Sequence, residues 1–180
     1  MVKVRYAIIE DAPNIAKLHA AAWIFAYDGI MDAEFLDERT NPSSLDRRIN
    51  KWEENISSVS DDCFILVAVN EKDEAIGFAR GGKVHNIAKG LRTDSELMAL
   101  YVSPLFHGLG AGTALIKAFA KEVSIKFKAH TFGIGVLKAN RSVKFYEKLG
   151  GRMLFEATYD YPKGSLPELF FEFKVSDFTD

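Results

Sequence analysis

The sequence predicts an α+β fold in a single domain. Three observations carry this reading: apolar runs that return as hairpins towards both ends, helical periodicities gathered in the first third, and a strand-helix-strand-helix order in the middle. The chain has 180 residues, 48% hydrophobic and 27% charged, enough for one substantial core. There is no internal repeat, low-complexity segment or linker.

Val2 to Ala7 alternates apolar and polar residues, a strand signal. Asp11 is an expected helix N-cap, with Pro13 tolerated in the first turn. Ile15, Leu18, Ala22 and Phe25 then recur at helical spacing until Asp28-Gly29. A second helix starts around Asp32 and is broken by Asn41-Pro42. Ser44 is the expected cap of a third, Leu45 to Ile56, with Leu45, Ile49, Trp52 and Ile56 on one stripe. Cys63 to Val69 is a nearly continuous apolar run, hence a buried strand. Asn70 to Asp73 makes a turn, and Ala75 to Arg80 returns as its hairpin partner, ended by Gly81-Gly82.

Residues 83–94 are polar and aperiodic, a loop. Glu96 to Val102 is the next strand, stopped by Pro104. Simple alternation places Glu96, Met98 and Leu100 on one face and Leu97, Ala99 and Tyr101 on the other. Thr113 to Phe127 is a helix with Leu115, Ala118, Phe119 and Val123 inward. Thr131 to Leu137 is a strand, and Asn140 to Leu149 a short helix stopped by Gly150-Gly151. Arg152 to Tyr161 and Leu169 to Val175 are strands joined by a loop, Pro162 to Pro167.

Composition excludes several classes of function. A net charge of -2 gives no support for a nucleic-acid or membrane surface. Lys121, Lys126 and Lys128 read as the solvated face of one helix. A lone Cys63 rules out an internal disulfide or a cysteine zinc cluster. His19 and His130 lack metal-ligand spacing, so no metal is expected. No signal pattern or membrane-length apolar run is visible, which makes the cytoplasm the expected location.

The informative stretch joins the strand ending at Val102 to the helix after it. It places Gly108, Gly110 and Gly112 at every second position. Such a segment is either a plain tight turn or a cradle that aims free backbone N–H groups at a phosphate. A P-loop would need Lys after its last glycine, and Thr113 follows Gly112. A dinucleotide site would need an acidic residue at the end of the next strand, where Val136-Leu137-Lys138 stands.

The segment from His107 to Gly112 resembles the acyl-CoA loop of the GNAT (GCN5-related N-acetyltransferase) family, [Q/R]-x-x-G-x-[G/A], with His107 where Gln or Arg is usual. A second match follows one helix and one strand later. Asn140-Arg-Ser-Val-Lys-Phe145-Tyr146-Glu-Lys-Leu-Gly150 resembles the family's N-x-x-[A/S]-x-x-[F/Y]-Y-x-x-x-G helix. The resemblance covers residues 3–175 as one domain. It implies a three-layer α/β/α arrangement, with a mixed, mostly antiparallel sheet of about seven strands flanked by helices.

It also implies acetyl-CoA as cofactor and transfer of its acetyl group to a primary amine of a small molecule, such as a polyamine or amino acid. The alternative is a non-catalytic acyl-CoA sensor or scaffold of the same fold. Cofactor contacts would come from His107, Gly108, Leu109, Gly110, Ala111, Gly112 and Thr113 through backbone N–H groups. Leu100, Tyr101 and Val102 would serve the thioester carbonyl, and Asn140 and Tyr146 complete the set. A strand that offers its own N–H groups needs a bulge or an ending.

Tyr146 is the candidate general acid, or else a core tyrosine. Asn140 reads equally as a helix cap. Glu96 is the candidate base, directly or through water, or else an exposed strand-end carboxylate; His85, Glu168 and Asp160 are rivals. A polyamine site would call on several carboxylates, with Asp160 and Glu168 as sources. Dimers are common in the family, and Leu169 to Val175 would be the edge strand available for one.

Overall fold

The apolar runs assemble into one sheet. The computed structural model describes residues 2–179. Its strands are β1 (Lys3–Tyr6), β2 (Cys63–Val69), β3 (Ala75–Gly82), β4 (Ser95–Val102), β5 (Thr131–Leu137), β6 (Arg152–Tyr161) and β7 (Gly164–Lys174). They lie in the order β1-β2-β3-β4-β5-β7-β6. All neighbours are antiparallel except β4 and β5, which run parallel. The helices are α1 (Ala12–Tyr27), α2 (Ala33–Thr40), α3 (Leu45–Ser57), α4 (Ala111–Phe127) and α5 (Val143–Lys148).

Each face of the sheet is covered. On one, Ile15 of α1 and Trp52 of α3 pack with Val67 and Phe78. On the other, Leu115 and Phe119 of α4 and Tyr146 of α5 pack with Leu97, Phe132 and Phe171. Six phenylalanines (Phe64, Phe78, Phe119, Phe132, Phe170 and Phe171) are almost fully buried. At roughly 1.5–3 kcal/mol each they anchor the three layers. Met31 and Phe35 make a third cluster with Leu137, closing the end of the sheet at α2.

Several sequence expectations are corrected. Asp11 precedes α1 but does not cap it with its side chain. Its buried carboxylate is held by Arg5, 2.7 Å away. Gly81-Gly82 continue β3 rather than end it. A Cβ at Gly81 would stand 2.7 Å from the Phe119 ring, so glycine there lets α4 lie against the sheet. The expected loop Pro162 to Pro167 is a two-residue turn, Pro162-Lys163, because β7 already pairs from Gly164. β7 lies between β5 and β6, so it offers no edge for a dimer; β1 and β6 are the edges.

The correction that matters most is in β4. Its register against β3 steps from Arg80↔Ala99 to Gly81↔Leu97, leaving Met98 unpaired as a β-bulge. Simple alternation therefore fails. Leu97 and Leu100 both face α4 and α5, whereas Ala99 and Tyr101 face α1 and α3. On its other side, β4 pairs with β5 only at Ser95↔Phe132 and Glu96↔Gly133. Beyond Glu96 the two strands part.

Candidate active site

The parting of β4 from β5 opens a cavity of about 260 Å³ between Met98–Val102 and Ile134–Leu137. Trp23, Tyr27, Tyr101, Asn140, Tyr146 and Glu168 are among its walls. On the α4 and α5 side it meets a groove of about 600 Å³ along the glycine loop. Leu100, Val102, His107 and Tyr146 line both spaces, so the two meet at the end of β4.

The three glycines do different work. Gly108 and Gly110 have φ of 78° and 83°, left-handed conformations that favour glycine. Nothing stands within 4 Å of a Cβ built at either, so that side of the loop is open. Gly112 has ordinary helical geometry; its missing side chain admits the Phe145 ring, 3.2 Å from where a Cβ would sit. Ala114 N–H is the first to bond back, to Gly110 O at 2.9 Å. The N–H groups of residues 108–113 have no acceptor among the described residues. A row of free donors at the positive end of a 17-residue helix is an anion site by construction. The His107 ring braces the loop, with Nε2 3.0 Å from Val102 O.

Tyr146 is 4% exposed, and its hydroxyl has no hydrogen-bond partner among the described residues. Burial first, then neighbouring Tyr27, pushes its phenol well above the ordinary value. Across the cavity the Tyr27 and Tyr101 hydroxyls lie 2.9 Å apart. Burial raises both phenols too. Three protonated phenols thus surround the gap at neutral pH. Asn140 Oδ1 accepts from Ser142 N–H at 2.8 Å, starting the turn into α5, while the residue also walls the cavity.

The carboxylates sort differently from the sequence expectation. Glu96 is 1% exposed and lines neither space. Its Oε2 accepts from the backbone N–H groups of His85 at 2.7 Å and Asn86 at 2.9 Å, and its Oε1 from Asn86 Nδ2. Glu96 latches the β3–β4 connection, and both of its oxygens accept hydrogen bonds there. His85 is exposed and lines neither space. Asp160 is exposed as well, accepting from Ser165 Oγ. Glu168, on the interior strand β7, is the one carboxylate that walls the cavity among the described residues. Its Oε2 lies 2.6 Å from Lys89 Nζ.

The periodicity of β7 carried this placement: Leu169, Phe171 and Phe173 pack towards α4, which turns Glu168 and Phe170 the other way. From the sequence, Glu168 is one rival base among three, because the loop expected up to Pro167 leaves it outside the strand and without an assigned face. Lys89 was missed because residues 83–94 have no period to read.

The model of the acetyltransferase (GNAT) family matches residues 23–151. The chain belongs to that family. It is an acyltransferase by that membership, with the family's mixed, mostly antiparallel sheet between helices. Relatives agree with the assignment. The "Uncharacterized N-acetyltransferase YuaI" of Bacillus subtilis (strain 168) is 28% identical over 169 residues, covering 94% of this chain and 91% of that one. A GCN5-related N-acetyltransferase ("Aminotransferase, Class-II") from Rhodopseudomonas palustris has a TM-score of 0.72 at 19% identity, covering 97% and 96% of the two chains. YncA, a "putative ACETYLTRANSFERASE" from Salmonella typhimurium solved with acetyl-CoA, has a TM-score of 0.65 at 20% identity, over 97% and 94%. PaiA N-acetyltransferase from Thermoplasma acidophilum, in complex with coenzyme A, has a TM-score of 0.61 at 20% identity, over 97% and 99%. Among the described residues, no helix is long and apolar enough to cross a membrane.

Proposed function

We propose that the protein moves the acetyl group of acetyl-CoA to the amine nitrogen of a small molecule. The observation that carries this is the junction of two spaces at the end of β4: an anion-binding groove on one side of the sheet and a walled cavity on the other. The residues fit the donor. Free N–H groups of 108–113 suit a pyrophosphate, and the exposed Arg141 and the Lys148 side chain add cations along the same groove. When bound, acetyl-CoA supplies an acetyl group activated as a thioester.

The chain's own groups do the rest. Beyond the bulge, the side of β4 that has parted from β5 offers the backbone N–H groups of Leu100 and Val102 where charge develops on a carbonyl oxygen, while Tyr101 N–H faces β3. Tyr146 Oη holds a proton that a departing sulfur needs. Asn140 fixes the start of α5 and so the position of Tyr146. Glu168 faces the cavity from the α1 side, and its carboxylate takes the proton of an incoming ammonium, directly or through water. Trp23, Tyr27, Met31 and Tyr159 wall that side, which supports a small acceptor over a protein chain. One carboxylate there, rather than several, weighs against a polyamine.

The test is a panel of amines with thiol release followed spectroscopically, beside a thermal-shift comparison of acetyl-CoA, NAD and ATP. The proposal expects stabilisation by acetyl-CoA and amine-dependent thiol release. Stabilisation by NAD or ATP without acetyl-CoA would refute it. Tight coenzyme A binding without release for any amine would leave a sensor as the function.

A further inference from the structure

A second cavity, of about 820 Å³, lies between α1, α3 and the sheet, and the acetyl-transfer reading leaves it unused. Its charge is one-sided. Arg39, Arg47, Arg48, Lys51 and Arg80 line it, and the one carboxylate among its walls, Glu54, is already 2.9 Å from Lys51 Nζ. Like charges gathered in one hollow repel one another unless a counter-charge sits among them.

Two of these arginines have donors left over. Arg80, on β3, makes no hydrogen bond or ion pair among the described residues, and its Nε is buried without a partner. Arg48 is fixed by Asn41 O at 2.9 Å and by Ser44 Oγ, yet its Nε is likewise buried and unpartnered. Buried donors without acceptors are rare in folded proteins, and those of a guanidinium fit a carboxylate or phosphate fork. Burial, then neighbouring Arg47, disfavours the charged form of Arg48, the strain an anion would relieve.

The cavity adjoins the acetyl-transfer site. Trp23 and Ala99 line both. His19 sits there too, edge-on to Trp23 and Trp52, and is neutral at pH 7 because burial holds its pKa down at about 4. It adds no charge to the hollow. We propose that this cavity binds an oxyanion, the phosphate or carboxylate carried by the acceptor, and so selects anionic small-molecule amines whose nitrogen reaches towards Glu168. This rests on the acetyl-transfer reading.

The experiment has two arms. In the first, orthophosphate is titrated at constant ionic strength with coenzyme A saturating, so that the glycine loop is filled, and melting temperature is followed. Wild type should be stabilised. Arg80→Gln, and the rim variant Arg47→Gln at an exposed position, should weaken the phosphate response, Arg80→Gln by about tenfold or more in apparent affinity, while both keep the coenzyme A shift. No phosphate response in wild type, or a response in both variants as strong as that of wild type, overturns the site.

In the second arm, amines that wild type acetylates are compared in pairs, such as ethanolamine with phosphoethanolamine and butylamine with 4-aminobutyrate. Preference for the anionic member, lost in Arg80→Gln, supports the assignment and tells phosphate from carboxylate. Phosphate binding with no such preference overturns the acceptor assignment in favour of a free-anion effector. Phosphate binding with no thiol release from any amine sinks the acetyl-transfer reading and leaves the anion site standing.

Discussion

Replacing Glu96 by Gln separates a latch from a base. In the structure the Glu96 carboxylate accepts three N–H bonds from the β3–β4 connection and touches neither cavity. A hydrogen bond to a charged group contributes about 1.5–3 kcal/mol, against about 0.5–1.5 for a neutral one. Losing the charge while keeping the shape therefore costs about 1 kcal/mol per bond, or about 3 kcal/mol in all. For a chain of this size that lowers the melting temperature by roughly 6–12 °C. The turnover number should stay within about threefold of wild type, because a general base contributes about 10²–10⁴-fold and the Glu96 carboxylate lines neither space. Glu168→Gln should show the opposite pattern: turnover down by about 100-fold or more, and a small change in melting temperature, since its pair with Lys89 is part-exposed and worth about 1 kcal/mol. Thermal unfolding and initial rates on the two variants decide it. A Glu96→Gln protein with normal stability and a turnover number lowered 100-fold would refute the latch.

Three further outcomes follow from the same geometry. Tyr146→Phe should lower the turnover number by about 10²-fold while leaving the KM for acetyl-CoA and the melting temperature nearly unchanged, because the hydroxyl has no hydrogen-bond partner to lose among the described residues. Gly110→Ala should destabilise by about 1–2 kcal/mol, as φ is 83° there, and raise the KM for acetyl-CoA. Gly112→Ala should be near neutral in stability, since the extra methyl meets the Phe145 ring at 3.2 Å and Val102 at an ordinary 3.8 Å, and alanine favours the helix; thermal melts and acetyl-CoA titrations compare the pair. His19 is neutral when folded, with pKa about 4 against 6.5 in the open chain. The unfolded state therefore binds the extra proton first, and stability present above pH 6.5 is lost as pH falls towards 4. Between pH 7.5 and 5.5 that loss is about 1 kcal/mol, read by urea unfolding and absent in His19→Gln.

Much of the fold was legible because its periods are clean. Cys63–Val69, Thr131–Leu137 and Arg152–Tyr161 are bounded by turn residues, and the strands begin and end where the pattern changes. The glycine loop was legible because positive φ selects a residue type. What failed were features in which one residue changes the face of all that follow. The bulge at Met98 leaves no mark in an apolar run, yet it reverses which side residues on one side of it occupy. The hydrogen bonds that His85 and Asn86 donate to Glu96 depend on the path of an aperiodic loop, which a strand position does not show. The arginine-lined cavity draws on α2, α3 and β3, so no spacing in the chain announces it.

The central claim is that donor and acceptor meet where β4 parts from β5, with the cradle at 108–113 feeding that gap. Amide hydrogen exchange with and without acetyl-CoA tests it most directly. Binding should protect the N–H groups of residues 108–113 and of Leu100 and Val102, the donors at the loop and on the side of β4 that faces the gap, and leave the β2–β3 ladder unchanged. Acetyl-CoA that binds and protects another face of the sheet, with those amides still exchanging freely, would contradict the account.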